Sequence, residues 1–173
     1  RDIFSGSPSL EKLVSKYDAV LTAEEREYYR NECETLCEML DDYQIALDQN
    51  LPHDVWTYIR DNGFLGLCIS KEYGGRGFSA HAHSVMLQKV ATRSIAAGVT
   101  VMVPNSLGPA ELLREYGTDE QKNKYLPRLA KGVDIPCFAL TGASSGSDAA
   151  SMRDKGVVCV QDGVLGIKCT FSP

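Results

Sequence analysis

The 173-residue sequence has one tryptophan, three histidines and no C-x-x-C pair. The shortage of histidine thins the options for a metal. His53 stands alone, and His81 and His83 are two apart, which on a helix points them to different faces. That pair is a poor metal clamp and reads as ordinary surface. The six cysteines (Cys33, Cys37, Cys68, Cys137, Cys159 and Cys169) have no matching spacing and read as reduced thiols of an intracellular protein. No run reaches the roughly 20 apolar residues that span a bilayer. The longest apolar-rich stretch, 95–103, falls well short. No basic start followed by an apolar segment marks an export signal. Positive charge is also in deficit, with 23 acidic against 18 basic residues and a net charge of −5. That balance removes the electrostatic case for nucleic acid or anionic lipid. Internal repeats and low-complexity segments are absent too. The chain begins at Arg1 rather than methionine, which reads as a processed protein or an excerpt.

The hydrophobic fraction of 43% is enough for a packed core. Residues 1–20 are weakly patterned and read as an arm. Thr22 with Glu25 three positions on is a capping-box spacing, and it opens a predicted helix. Along it Tyr29, Cys33, Leu36, Leu40, Tyr43 and Leu47 recur at four-and-three spacing, one stripe down one face. A second helix is predicted from Pro52 to Asn62, closed by Gly63. The Tyr73-Gly-Gly-Arg-Gly77 segment marks a tight loop that lacks a phosphate-loop pattern and reads as a structural turn. Ser79 caps a long predicted helix running to about Gly98, and Pro104 to Pro109 breaks the chain. Another helix follows to Tyr116. Thr118 with Gln121 then caps a last one, which carries Pro127 and ends near Gly132.

After Asp134 the pattern changes. Ile135 to Thr141 reads as a short strand, and 142–151 is a loop of small residues. Gly156–Val160 and Val164–Phe171 read as strands joined at Asp162-Gly163, a strong hairpin signal. The expected fold is therefore α+β: an N-terminal all-α domain over 21–134, then the first strands of an antiparallel β domain over 135–173. The loop from Thr141 to Asp148 is the leading candidate for function. Its hydroxyls and backbone N–H groups suit an anionic or heterocyclic ligand. A plain solvent-exposed loop accounts for the same residues.

The segment Pro136-Cys-Phe-Ala-Leu-Thr-Gly-Ala-Ser-Ser-Gly-Ser-Asp148 resembles the flavin-side signature of acyl-CoA dehydrogenases. Lys71-Glu-Tyr-Gly-Gly-Arg-Gly-Phe-Ser79 resembles that family's Tyr-Gly-Gly turn. Tyr116-Gly-Thr-Asp-Glu-Gln-Lys122 with Tyr125-Leu-Pro-Arg-Leu-Ala130 resembles its helix pair, and 99–113 is similar to its long-chain, bacterial-type branch. The resemblance implies a helical domain, a middle β domain and a C-terminal four-helix domain. It implies oxidation of an acyl-CoA thioester to the trans-2-enoyl product, with FAD as cofactor. Carried over by position, Phe138, Leu140 and Thr141 line the flavin ring. Gly146 and Ser147 contact flavin, Ser147 also contacts acyl-CoA, and Asp148 braces the loop. No metal is implied. The catalytic base is expected downstream of this chain, so the chain alone is expected to be inactive. The implied partners are a C-terminal domain or further subunits, in a homo-oligomer or larger complex. The implied setting is the mitochondrial matrix in a eukaryote, or otherwise the bacterial cytoplasm or a peripheral position on the inner membrane.

One departure from the family's pattern stands out. Relatives carry an acidic residue and a proline after the threonine, whereas Gly142-Ala-Ser-Ser145 has neither. Losing proline removes a φ constraint and loosens the loop. That favours an alternative in which the chain is a catalytically inactive structural or assembly subunit.

Overall fold

The structure, a computed structural model, describes residues 6, 20–137, 141–142, 145–151 and 155–170. Contacts divide the chain between Pro136 and Cys137 into two compact units.

The first unit is helical. α1 (Ala23–Arg30), α2 (Glu32–Met39) and α3 (Asp42–Asp48) replace the single long helix predicted from the stripe. Both halves of the capping box at Thr22 and Glu25 form as the spacing predicts. Leu40 then adopts an extended backbone, and the Asp41 side chain accepts from the N–H of Gln44 to start α3 afresh. The restart shifts the phase of the buried face. Cys33, Leu36 and Leu40 are buried as expected, but Tyr28 and Ile45 join them while Tyr43 and Leu47 are exposed.

α4 (His53–Asp61) lies within its predicted bounds, and Gly63 follows it at a φ of 73°. Its apolar face supplies Val55 and Ile59 to the core, beside Phe64, Leu65 and Leu67 from the short turn that follows. Tyr28 packs edge-on against Phe78, with ring centroids 5.2 Å apart. The Tyr28 hydroxyl donates to the Asn62 carbonyl at 2.9 Å. The Arg76 guanidinium also donates to that carbonyl, at 2.7 Å, placing a cation at the C-terminal end of α4.

The long third helix of the sequence reading is two helices, α5 (Ala80–Arg93) and α6 (Ile95–Met102). Ser94 breaks it. Its backbone is extended, and its side chain accepts from the N–H of Ala97 to cap α6. The break expected at Pro104 comes later, because Val103–Leu107 continues α6 as a π-helical turn. Buried Asn105 in this turn donates to the carbonyls of Phe64 and Val101 and accepts from the N–H of Cys68. α7 (Pro109–Tyr116) and α8 (Asp119–Ala130) close the unit, the latter through a second complete capping box at Thr118 and Gln121. α8 passes through Pro127 and buries Leu126, Leu129 and Ala130 against Ile69 and Ala110.

The second unit contains one antiparallel pair among the described residues, β1 (Lys155–Gln161) and β2 (Val164–Thr170). Gln161 pairs with Val164 across Asp162 and Gly163, both at positive φ (53° and 77°), the turn that the Asp-Gly signal predicts. The helical unit followed by this antiparallel pair is the expected α+β arrangement. Of the strand expected from Ile135 to Thr141, positions 138–140 lie outside the described residues. Positions 135–137 and 141 carry no strand assignment, and no further strand among the described residues pairs with them.

Candidate functional site

The tight Tyr73–Gly77 loop is structural. Gly74 and Gly77 have φ of 83° and 65°, and a Cβ on Gly75 would lie 2.1 Å from the Ile69 carbonyl oxygen. Its amides are used internally. Gly75 donates to Ser70, Arg76 to Gly66, and Gly77 to Ile69, at 2.8–3.2 Å. No spare N–H set points outward to hold a phosphate.

The histidines divide between surface and core. His81 is exposed, but His83 is buried, against the surface reading of both. Its Nε2 has no hydrogen-bond partner among the described residues, and burial lowers its pKa. Among the described residues no group of three or more His, Cys, Asp or Glu is placed to hold a metal ion. Cys33, Cys37, Cys68, Cys137 and Cys159 are free thiols, and burial pushes Cys33 up to about 12, so it is inert rather than nucleophilic. No helix among the described residues is long and apolar enough to cross a membrane.

The candidate loop named from sequence, Thr141–Asp148, is described at positions 141–142 and 145–148. Phe138 and Leu140 lie outside the described residues. Thr141, Gly146 and Ser147 are all exposed. Gly142 and Ser145 close a small turn through reciprocal backbone hydrogen bonds of 3.0 and 3.4 Å. Beside Gly146 nothing lies within 4 Å of an added Cβ, so the backbone there is open to approach. Asp148 braces the loop, accepting a hydrogen bond from the Ser151 hydroxyl, while its carbonyl takes the Ser151 N–H at 3.1 Å.

Sequence reasoning passed over one residue here. Ser145 is only 6% exposed, and its Oγ has no hydrogen-bond partner among the described residues. No sequence signal marks it, because the burial of a hydroxyl depends on how the loop closes. The site thus offers exposed hydroxyls, an open glycine backbone and one buried, unmet hydroxyl. Such a donor set suits the carbonyl and phosphate oxygens of a flavin nucleotide or a CoA thioester.

A second surface feature belongs to the helical unit. An open apolar groove of about 390 Å³ between α7 and α8 is lined by Leu113, Tyr125, Leu129 and Ile135. No motif in the sequence singles it out.

Comparison with known proteins accords with this organisation. The family model for "Acyl-CoA dehydrogenase, N-terminal domain" matches residues 19–133. The human very long-chain specific acyl-CoA dehydrogenase, a mitochondrial protein, is 30% identical over 148 residues, 83% of this chain and 22% of that protein. A 3-(aryl)acrylate reductase of Clostridium sporogenes is 39% identical over 102 residues, 58% of this chain and 26% of that protein. The solved glutaryl-CoA dehydrogenase of Mycobacterium smegmatis superposes with a TM-score of 0.65 at 32% identity, covering 80% of this chain and 36% of that one. The chain spans about a quarter of the length of the curated relatives it matches. With its capped helices, its Gly-Gly turn and a family match over most of its length, this chain belongs to the acyl-CoA dehydrogenase family, as an N-terminal domain.

Proposed function

We propose that this chain is the helical domain, 21–134, and the opening of the middle β domain, 135–173, of a flavoenzyme that oxidises acyl-CoA thioesters to trans-2-enoyl-CoA. The observation that carries the reading is the Thr141–Asp148 loop, joined to a helical unit of the matching family. In this reading Phe138, Leu140 and Thr141 line the flavin ring. Gly146 and Ser147 meet flavin, and Ser147 also meets the thioester substrate. The exposed Thr141 and Ser147 hydroxyls and the open Gly146 backbone support those roles. FAD, when bound, supplies the hydride acceptor that no amino-acid side chain offers.

The residues present bind and orient. Hydroxyl and amide donors fix oxygen acceptors in place, and donors aimed at a thioester carbonyl oxygen make the neighbouring α-proton acidic enough for a carboxylate base. Asp148 is given the bracing role in this reading, its carboxylate accepting from the Ser151 hydroxyl. The base, the remaining flavin contacts and the oligomeric partners belong to further chain or subunits. The mitochondrial human relative supports a mitochondrial matrix setting for a eukaryotic parent, and the reading for a bacterial parent is the cytoplasm or the face of the inner membrane.

A structural-subunit reading is favoured by a different observation. Gly142 and Ser145 satisfy each other in the stretch where the family places an acidic residue and proline. Titration of the full-length protein with FAD separates the two. Quenched flavin fluorescence, a shifted visible spectrum and bleaching on adding acyl-CoA support the enzyme. Absence of all three in the full-length protein with its partners present establishes the structural subunit.

A further inference from the structure

α7 and α8 carry an apolar face that the core of the helical unit does not use. The open groove of about 390 Å³ between them is lined by Pro109, Leu113, Tyr125, Leu129, Ile135 and Pro136. Tyr125 and Ile135 are 40% and 41% exposed, and Leu112 and Tyr116 on α7 and Val133 after α8 are more exposed still. Apolar surface gathered in this way marks a place where another segment packs.

The start of the helical unit lies close to this groove. Glu24, in the first turn of α1, holds Lys71 Nζ at 2.6 Å. The short turn Lys71–Tyr73 packs against α8, with Tyr73 on the cluster that contains Leu126 and Leu129. Just upstream of α1, Leu21 packs on the main core while Val20 is 74% exposed. The nineteen residues before Val20 therefore join the unit with only this turn between α1 and α8.

Those nineteen residues have a short apolar stripe of their own. Leu10, Leu13, Val14 and Tyr17 fall at i, i+3, i+4 and i+7, after a Ser7-Pro8 helix-start signal. So short a helix is unstable in water unless a host covers its apolar side. Residues 8–17 as a helix would span about 15 Å, and the three residues linking them to Leu21 reach about 10 Å more. A tether this short gives the segment an effective concentration on the order of millimolar, which a free copy of the chain does not match.

We propose that residues 8–17 of this chain dock as an amphipathic helix in the α7–α8 groove, with Leu10, Leu13, Val14 and Tyr17 against Leu113, Tyr125, Leu129 and Ile135. The arm is then a clasp that covers the apolar face of its own helical unit.

The test uses the full-length protein and trypsin, which cuts after Lys12 and Lys16 within the segment. Brief digestion read by mass spectrometry gives the rate at which those two bonds are cut, and that rate tracks the undocked fraction. Tyr125→Asp and Ile135→Asp place a charge at partly exposed groove positions, and each is expected to speed both cuts roughly tenfold. Leu13→Asp is expected to do the same alone and to add little in the Tyr125→Asp background, because both break one contact. Tyr43→Asp, at a residue 75% exposed on α3, is the control and should leave the rates unchanged. Melting midpoints are measured to show that each variant is folded. Rates within about twofold of wild type in both groove variants overturn the proposal. Full additivity of Leu13→Asp with Tyr125→Asp, or equal acceleration by Tyr43→Asp, overturns it too. Protection that grows with protein concentration also overturns it and gives the groove to a second copy of the chain.

Discussion

Glu25 Oε1 accepts the backbone N–H of Ser79 at 2.8 Å, tying the first turn of α1 to the residue that caps α5. The other oxygen, Oε2, accepts from the N–H of Thr22 at 2.8 Å to complete the capping box. One carboxylate, 4% exposed, thus serves two helix N-termini, where negative charge is favoured. The sequence shows the local half of this arrangement. The Ser79 half joins positions 54 apart and needs the fold.

Removing this carboxylate leaves the N–H groups of Thr22 and Ser79 without their acceptor. Glu25→Ala is expected to destabilise the helical unit by about 2 kcal/mol, read from urea denaturation. Burial pushes the Glu25 pKa up, but hydrogen bonds from Ser79 and Thr22 outweigh it, and the net shift is downward. A carboxyl lowered on folding contributes stability above its unfolded value of about 4.5, lost as pH falls through the folded value. The difference between wild type and Glu25→Ala therefore shrinks in acid below that value. A difference that stays constant down to pH 3 rules out the charge as its source.

His83 gives the same direction of pH dependence at a higher pH, through its neutral form. Burial favours its neutral form and lowers its pKa from 6.5, so the unfolded chain takes up the proton first. Its contribution is intact above about 6.5 and lost as pH falls below that value. The wild-type melting midpoint is expected to decline from pH 7 to pH 5, and His83→Gln to flatten that decline. Parallel pH profiles for the two proteins count against His83 as the responsive group.

Asn105 is the polar anchor of the π-helical turn. Its side chain makes three hydrogen bonds, to Phe64, Val101 and Cys68, at 2.7–3.2 Å. Asn105→Ala strands the Cys68 N–H and the Phe64 carbonyl, and is expected to destabilise by about 3 kcal/mol. Asn105→Asp keeps the acceptor and removes both donors while adding a buried charge, so it is expected to be no better. Chemical denaturation of both variants checks this, and a loss below about 1 kcal/mol removes the anchoring role.

The core positions best read from sequence are those governed by local rules. Cys33, Leu36 and Leu40 follow helical spacing, the two capping boxes form at the expected residues, and Asp162-Gly163 turns as that dipeptide demands. What the sequence hides depends on packing. Ser94 is an unremarkable serine in a helical run until its extended backbone makes it a cap. Asp41 resets the phase so that Ile45, not Tyr43, enters the core. His81 and His83 carry the same local signal, yet only one is buried. The same reason hides Ser145: Thr141, Gly146 and Ser147 can be named from motif, whereas the orphaned state of a hydroxyl belongs to the folded loop alone.

The hairpin poses a stability question of its own. Val157, Val158, Val160, Val164, Leu165 and Ile167 are between 65% and 73% exposed, on both faces of a two-stranded sheet. Two strands without a covered face are marginal in water, and their open edges invite pairing with other chains. The helical unit has its own buried core, from Tyr28 to Val101. A chain ending at Pro136 is therefore expected to unfold cooperatively, with a midpoint within about 5 °C of the 173-residue chain. The longer chain is expected to bind a hydrophobic dye more strongly and to aggregate at lower concentration. Replacing Val158 and Ile167, which face each other across the ladder, with threonine should suppress both effects while keeping strand propensity. A large drop in midpoint on truncation would instead make the hairpin part of what holds the helices together. Equal dye binding by the two chains would move the sticky surface to the helical unit, with the groove lined by Leu113, Tyr125 and Ile135 as the place to mutate next.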